Sequence, residues 1–365
     1  HLPIKNYVAT TQIIYLKFDS EYIIYYNTTM DITEIETILS NHKPQRKAST
    51  THSYGLLLHR ISKTLNLTTY EDFLDCTKIV EHLKEKKATC CHCANVCVAI
   101  QEYLKALPMS EFTDEIQMWK KHKDNYYEIY YNNQRKGVVV GRQAPNMISY
   151  KELLGYYNTI CKHVKDNEYE EKSCVEYTNG ISNPGIDYLN VRLLLRLLLL
   201  HPTRNDYGSL EMISGKEFSK IETPMKNYLV YQPTKGSFLS INVYKTVDRY
   251  GQKTIPIKDN QLKKLLVFHK KKFGMGAMFR QQNMVQHNST SMAGLMTKYS
   301  KKHIDKSVGS TIIYKVIIQE LSGKYKEALQ NEDTEDMSKY REDLEKFANC
   351  RGHSFGIQQQ IYAKE

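Results

Sequence analysis

Near its end the chain reads "RGHSFGIQQQIYAKE", with His353 and, nine residues further on, Tyr362. Two other segments hold cations in settings that suit work with a tyrosine. "HPTRNDYGSL" places Arg204 just beyond an apolar run, and "INVYKTVDRYGQKTIPI" places Lys245 where a strand enters a turn. Together these groups fit the attack of a phenol on a phosphodiester. The transition state gathers negative charge on the non-bridging oxygens, which arginine and histidine can hold by charge-assisted hydrogen bonds. A lysine can protonate the departing 5′ oxygen. The tyrosine stays joined to the 3′ phosphate, so the bond is kept for rejoining. Singly, each residue has an ordinary explanation: Arg204 can pair with Asp206, Lys245 can be a surface lysine, His353 can sit satisfied in a core, and Tyr362 is one of 28 tyrosines. Their order and spacing argue for a site.

Such groups need elements to hold them. The first thirty residues, with "TTQIIYLKF" and "EYIIYYN", are β-prone and fit a small hairpin or arm over 1–30. Residues 31–135 carry helical periodicity. "STTHSYGLLLHRISKTLN", "TYEDFLDCTKIVEHLKEK", "ATCCHCANVCVAIQEYLKALP" and "SEFTDEIQMWKKHKDNYYEIYYNNQ" predict four short amphipathic helices in a compact all-α domain. Gly, Pro and Asn in "QRKGVVVGRQAPNM" mark a flexible basic linker over 136–147. A second domain, 148–365, opens with the helical "ISYKELLGYYNTICKHV", passes a loop, "YTNGISNPGIDY", and enters the Leu-rich "YLNVRLLLRLLLLHP". Arg192 and Arg196 inside that run predict a buried helix rather than a membrane span. "KNYLVYQ", "GSFLSINVYKT" and "QKTIPI" follow as short strands, and the rest is helical, with a polar stretch over 323–337 expected as a solvated helix pair or inserted loop. The fold class is mainly α with a small antiparallel β-sheet, that is, α+β.

The 365 residues suffice for two domains. The net charge of +11 favours polyanions, nucleic acid first, and "HKKKFGMGAMFRQQ" is strongly cationic. No signal peptide or lipidation signal supports secretion or a membrane partner. Eight cysteines, five of them close together, make a poor disulfide framework and point to a reducing intracellular compartment. "CCHCANVC" invites a zinc reading, since Cys90 and Cys93 have C-x2-C spacing. A second ligand pair is missing, and Cys90, Cys93 and Cys97 share one helical face, so a core helix is the expectation and no metal or other cofactor is assigned.

The tail "GHSFGIQQQIYAK" resembles the C-terminal motif of tyrosine recombinases, the phage-integrase-like family. "PTRNDYGSLEMI" resembles the family's first-arginine motif in the version common among large DNA viruses and virophages. "SINVYKT…YGQKTIPI" resembles its β-hairpin with the catalytic lysine, and the helical region its core-binding domain. The resemblance implies a C-shaped clamp on double-stranded DNA, with Arg204, Lys245, His353 and Tyr362 catalytic. Strand exchange would run through a 3′-phosphotyrosine link without metal or nucleotide, on a homo-tetramer holding two duplexes. It also implies work inside a host cell, in nucleus or cytoplasm, or in association with a virus.

One family feature has no counterpart. The second arginine, in an H-x-x-R motif, aligns with "GSTIIYKVIIQEL", where Thr311 takes the histidine position and Tyr314 the arginine position, with Lys315 beside it. "HIDK", from His303, is a rival match several residues early. Losing such a contact costs about 2.7–4 kcal/mol of transition-state stabilisation, and lysine is not an equivalent of arginine. Lys315 or His303 is therefore the candidate for partial compensation. The alternatives are a recombinase fold kept only for DNA binding and, in another class, a zinc-containing interaction module.

Overall fold

The computed structural model of the chain describes residues 12–18, 21–27, 30–107, 112–135, 141–172, 185–204, 206–352 and 356. These form two compact units, His1–Gln134 and Arg135–Glu365. Most of the fold is helical, with one two-stranded and one five-stranded sheet.

The first unit opens with β1 (Gln12–Phe18) and β2 (Glu21–Asn27), paired antiparallel from Gln12↔Asn27 to Phe18↔Glu21. Five α-helices follow rather than four: α1 (Ile32–His42), α2 (Ala48–Leu65), α3 (Thr77–Glu85), α4 (Cys90–Ala106) and α5 (Thr113–Arg135). Asp31 caps α1 by accepting the Thr33 and Glu34 amides, and Asn66 ends α2 in the left-handed region at φ 54°. "TYEDF", expected to open a helix, instead makes a separate 3-10 turn over Tyr70–Phe73. The core joins Ile35, Leu39, Leu58, Phe73, Ile100, Leu104 and Trp119. Trp119 meets its polar requirement by donating to the Phe73 carbonyl at 2.8 Å.

The second unit begins with a 3-10 turn over Gly141–Asn146 and α6 (Tyr150–Asp166), which a Ser149–Glu152 capping box starts. The 141–146 part of the expected flexible linker is thus ordered, and the Asn146 side chain accepts the Ser307 amide at 2.6 Å. Residues 136–140, and most of "YTNGISNPGIDY", lie outside the described residues. Next comes α7 (Gly185–Leu200), the Leu-rich run, buried along nearly its whole length. Its arginines are paired: Arg192 with Glu170 at 2.5 Å, and Arg196 with both oxygens of Asp259 at 3.1 and 2.5 Å. Two charges thereby tolerate an apolar helix position that neither would tolerate alone. Among the described residues no helix is long and apolar enough to cross a membrane.

Beyond α7 lie β3 (Glu211–Ser214), α8 (Gly215–Phe218), β4 (Tyr228–Tyr231), β5 (Phe238–Ile241), α9 (Val247–Tyr250), β6 (Lys253–Pro256), α10 (Asn260–Phe273) and β7 (Gly276–Ala277). The sheet order is β6-β5-β4-β3-β7. The antiparallel expectation needs correction: β3 and β4 run parallel, from Glu211↔Tyr228 to Ser214↔Tyr231, so the sheet is mixed. The cause is the connection, since α8 and the loop after it carry the chain back to the starting end of β3. The last helices are α11 (Ser289–Ile304), α12 (Ser310–Gln330) and α13 (Thr334–Arg351). The polar stretch expected as a helix pair or loop is the facing halves of α12 and α13, joined by a turn at Asn331–Asp333.

Candidate active site

After α7 ends at Leu200 the chain makes a loop that is held on three sides. The Tyr207 hydroxyl donates to the His201 carbonyl at 2.7 Å in full burial. Gly208 lies against α11's start so closely that an added Cβ would stand 2.5 Å from the Asn288 carbonyl. Asn227, 3% exposed, stitches this loop to the end of β5. Its Nδ2 donates to the Asp206 carbonyl at 3.0 Å and the Val243 carbonyl at 2.9 Å, while its Oδ1 accepts the Asn242 and Val243 amides, both at 2.8 Å. Arg204, half-buried, is carried on this fixed loop.

The β5–β6 connection brings the next group. Lys245 is exposed there, four residues beyond β5. Its neighbour Thr246 donates to the Gly352 carbonyl at 3.2 Å, which docks the connection onto the end of α13. The Tyr244 hydroxyl closes the loop by donating to the Gly251 carbonyl at 2.7 Å. Sequence reasoning passed over Lys253, the first residue of β6. Its ammonium donates to the Asn349 carbonyl at 2.5 Å and lies 3.9 Å from the centre of the Tyr244 ring. Burial pushes its pKa down to about 8, against the pull of Cys350 and Asp206 and with the help of Arg204. A lysine so placed can release a proton near neutral pH.

Arg351, the last residue of α13, was also passed over. It is 4% exposed. One guanidinium nitrogen donates to the Thr203 carbonyl at 2.8 Å and the Ser310 carbonyl at 3.3 Å, and the other to Thr311 Oγ1 at 2.9 Å. The guanidinium carbon lies 4.8 Å from the centre of the Tyr314 ring. Thr311 and Tyr314, the two positions expected to align with an H-x-x-R motif, thus both touch an arginine carried on α13. Gly352 then turns the chain in the left-handed region at φ 69°, its missing Cβ leaving room for Thr246 Oγ1 and Lys253 Nζ. His353 and Tyr362 lie outside the described residues.

One carboxylate registers the whole group. Burial raises the pKa of Asp206, and Arg204, then Arg351, then Lys253 act to draw it back. Three cations from three separate segments are therefore within electrostatic reach of one acidic side chain. Beneath them Cys350 is buried, its thiol pushed up to about 11 by desolvation.

The remaining candidates lie elsewhere or play other parts. Lys315 follows Tyr314 and so points about 100° further round α12; burial alone lowers its pKa. His303, at the end of α11, accepts or donates at 2.9 Å with the Tyr188 hydroxyl and sits among the rings of Tyr156, His163 and Tyr188. Tyr188 belongs to the first turn of α7 and Arg204 follows its last, so roughly 18 Å of helix separates the two ends. His303 is a half-buried member of an aromatic cluster there. In the first unit Cys93 and Cys97 are buried in the α4 face of the core, with thiols pushed by desolvation up to about 11 and about 12. Among the described residues no group of three or more His, Cys, Asp or Glu side chains is arranged to hold a metal ion. No protein-family model matches the chain, and no curated protein matches it either.

Proposed function

We propose that the protein cleaves and rejoins double-stranded DNA through a 3′-phosphotyrosine intermediate, as a site-specific recombinase or integrase. The observation that carries this reading is the convergence around Asp206 of the Arg204 loop, the β5–β6 connection and the end of α13. Two of these segments carry sequences that resemble the recombinase motifs, the third ends at Gly352, where the third motif begins, and they are distant along the chain. Chance motif matches have no reason to meet in space.

The chemistry follows from the parts. The Tyr362 phenol gives up its proton to solvent, its oxygen attacks the scissile phosphorus, and the bond to the 5′ oxygen breaks. Arg204 holds a non-bridging oxygen as charge builds on it. His353, one residue past Gly352, serves the same phosphate. Lys253 gives its proton to the departing 5′ oxygen, and rejoining runs these transfers in reverse. The +11 charge supplies sequence-independent attraction to the duplex. Assembly as a tetramer on paired duplexes, and work in a host cell, rest on the resemblance.

The test is a suicide-substrate assay with nicked duplexes from the source genome. A covalent adduct on a denaturing gel, lost in Tyr362→Phe, is the expected outcome. A second reading, a DNA-binding protein on the same fold without catalysis, draws on Tyr314, fully buried at the position of the family's second arginine. Tight, steeply salt-dependent binding with no adduct on any duplex would favour it.

A further inference from the structure

We propose that the second unit holds a site for an unpaired, amino-bearing nucleobase, adenine or cytosine, in the cavity between the start of α7 and the start of α11. Asp187 and His287 take the two amino protons, and the lysines of α11 take the phosphate. The site shares no residue with the group around Asp206, so it stands whether or not the protein cleaves DNA.

The cavity measures about 400 Å³, within the range of small-molecule sites. Asp187, Gln281, Gln282, Asn283, His287 and Lys298 line it. Asp187 is 5% exposed. Gln282 Nε2 at 2.9 Å, the Tyr299 hydroxyl at 3.1 Å and Lys298 Nζ at 3.8 Å all address its Oδ2, and Oδ1 receives no hydrogen bond. His287 is 6% exposed, and its Nε2 has no partner. Its Nδ1 faces Ser291 Oγ at 2.9 Å. That hydroxyl gives its one proton to the Asn288 carbonyl at 3.1 Å, so Nδ1 carries the ring proton and Nε2 is an acceptor. Burial holds the ring's pKa down against the pull of Asp187, which keeps the lone pair free. Two buried side chains thus each keep an acceptor without a donor, a cost that a ligand bringing donors relieves. An exocyclic amino group brings two protons, one for each. Carboxylates and side-chain amides are the groups that read the amino edges of cytosine and adenine. Uracil and thymine turn carbonyl oxygens there, which a carboxylate repels. Guanine sets its amino group beside a second N–H, and that pair wants both carboxylate oxygens, of which Oδ2 is taken. In a duplex the pairing base holds one amino proton, so the site suits an unpaired base. Leu295 offers the ring an apolar surface. The phosphate has a place too. Lys298 also borders a second hollow, of about 540 Å³, where Lys301 and Lys302 join it.

The experiment is titration calorimetry of the full chain at low salt with AMP, CMP and UMP, and then with single-stranded hexamers of deoxyadenylate, deoxycytidylate and thymidylate. AMP or CMP is expected to bind about tenfold more tightly than UMP. The purine ribonucleotide that lacks the amino group of AMP should bind as weakly as UMP, a comparison that needs no variant. Asp187→Asn, checked for an unchanged Tm, should lose the preference. Lys298→Ala, exposed on α11, should weaken every nucleotide alike and keep the preference. A preference among the mononucleotides means that a free nucleotide suffices. A preference only among the hexamers assigns a single strand as the ligand. Equal binding of amino-bearing and amino-free partners in both sets, or no binding in either, overturns the proposal, as does a folded Asp187→Asn that still discriminates. The nicked-duplex assay reads the recombinase reading separately, since an adduct lost in Tyr362→Phe neither needs this site nor excludes it.

Discussion

Lys253 is the group on which the proposed chemistry turns. Its ammonium is half-buried against Tyr244 and the Asn349 carbonyl, and burial holds its pKa near 8. If it is the general acid, adduct formation should decline as pH rises through about 8, because the proton to be donated is gone. Lys253→Met should abolish most of the adduct on ordinary DNA and form it again on a duplex whose leaving 5′ oxygen is replaced by sulfur, since a thiolate departs without a proton. Lys245→Met should do neither. The same residue has a stability signature. Its folded pKa lies below the unfolded value of 10.5, so the penalty for holding it charged is full below about 8 and vanishes as pH climbs to 10.5. Lys253→Met should therefore raise the Tm at neutral pH and lose that advantage above about 10.5, as a melting series across pH would reveal. Arg204 was legible in the sequence because a distinctive string surrounds it. Lys253 was not, because its environment is made by Asn349, 96 residues away, and one lysine at a strand's start looks like any other. Arg351 hid for a related reason: it stands directly before Gly-His-Ser and passes for the end of a helix.

Between residues and molecule, short segments decide whether these groups meet. Gly352 and Asn227 do most of this joining. At Gly352 the backbone is left-handed, and a Cβ would stand 2.3 Å from Thr246 Oγ1. Gly352→Ala should cost about 1–2 kcal/mol from the backbone alone, lowering the Tm, and should also push the β5–β6 connection off α13, so adduct formation should fall further than stability does. Asn227→Leu, nearly the same size, would strip four hydrogen bonds from two part-buried loop backbones, at about 0.5–1.5 kcal/mol each; denaturant unfolding would register the loss. The elements themselves were partly legible. Periodicity and caps announced the helices, and β-branched runs announced β4, β5 and β6. β7, of two residues, is too short to carry an alternation; β3, "EMIS", has only Met212 buried between polar ends, and with β3 unseen the parallel pairing could not be anticipated. "TYEDF" has helical composition, yet the Asp72 carboxylate takes the Thr68 and Thr69 amides and tightens the turn before a longer helix can form.

At the scale of the whole molecule, two cores share no residue. One is built from α1–α5 around Trp119, the other around α7 and the sheet. Separate cores imply separate cooperativity, so calorimetry should resolve two transitions where a single core would give one. Two substitutions identify them. Leu104→Ala in α4 should lower one transition and Leu195→Ala in α7 the other, each by about 2–5 kcal/mol because both side chains are fully buried. The phosphate site of the proposed function then makes a demand that either core variant can check. Arg204, Asp206, Lys253 and Arg351 all belong to the second unit. A ligand that binds only the folded form stabilises the unit that holds its site and no other. Millimolar phosphate should thus move the transition that Leu195→Ala moves and leave the Leu104→Ala transition where it was. Movement of both would mean that phosphate acts through general exclusion from the protein surface, which does not discriminate between cores, and a phosphate site in the second unit would have to be given up.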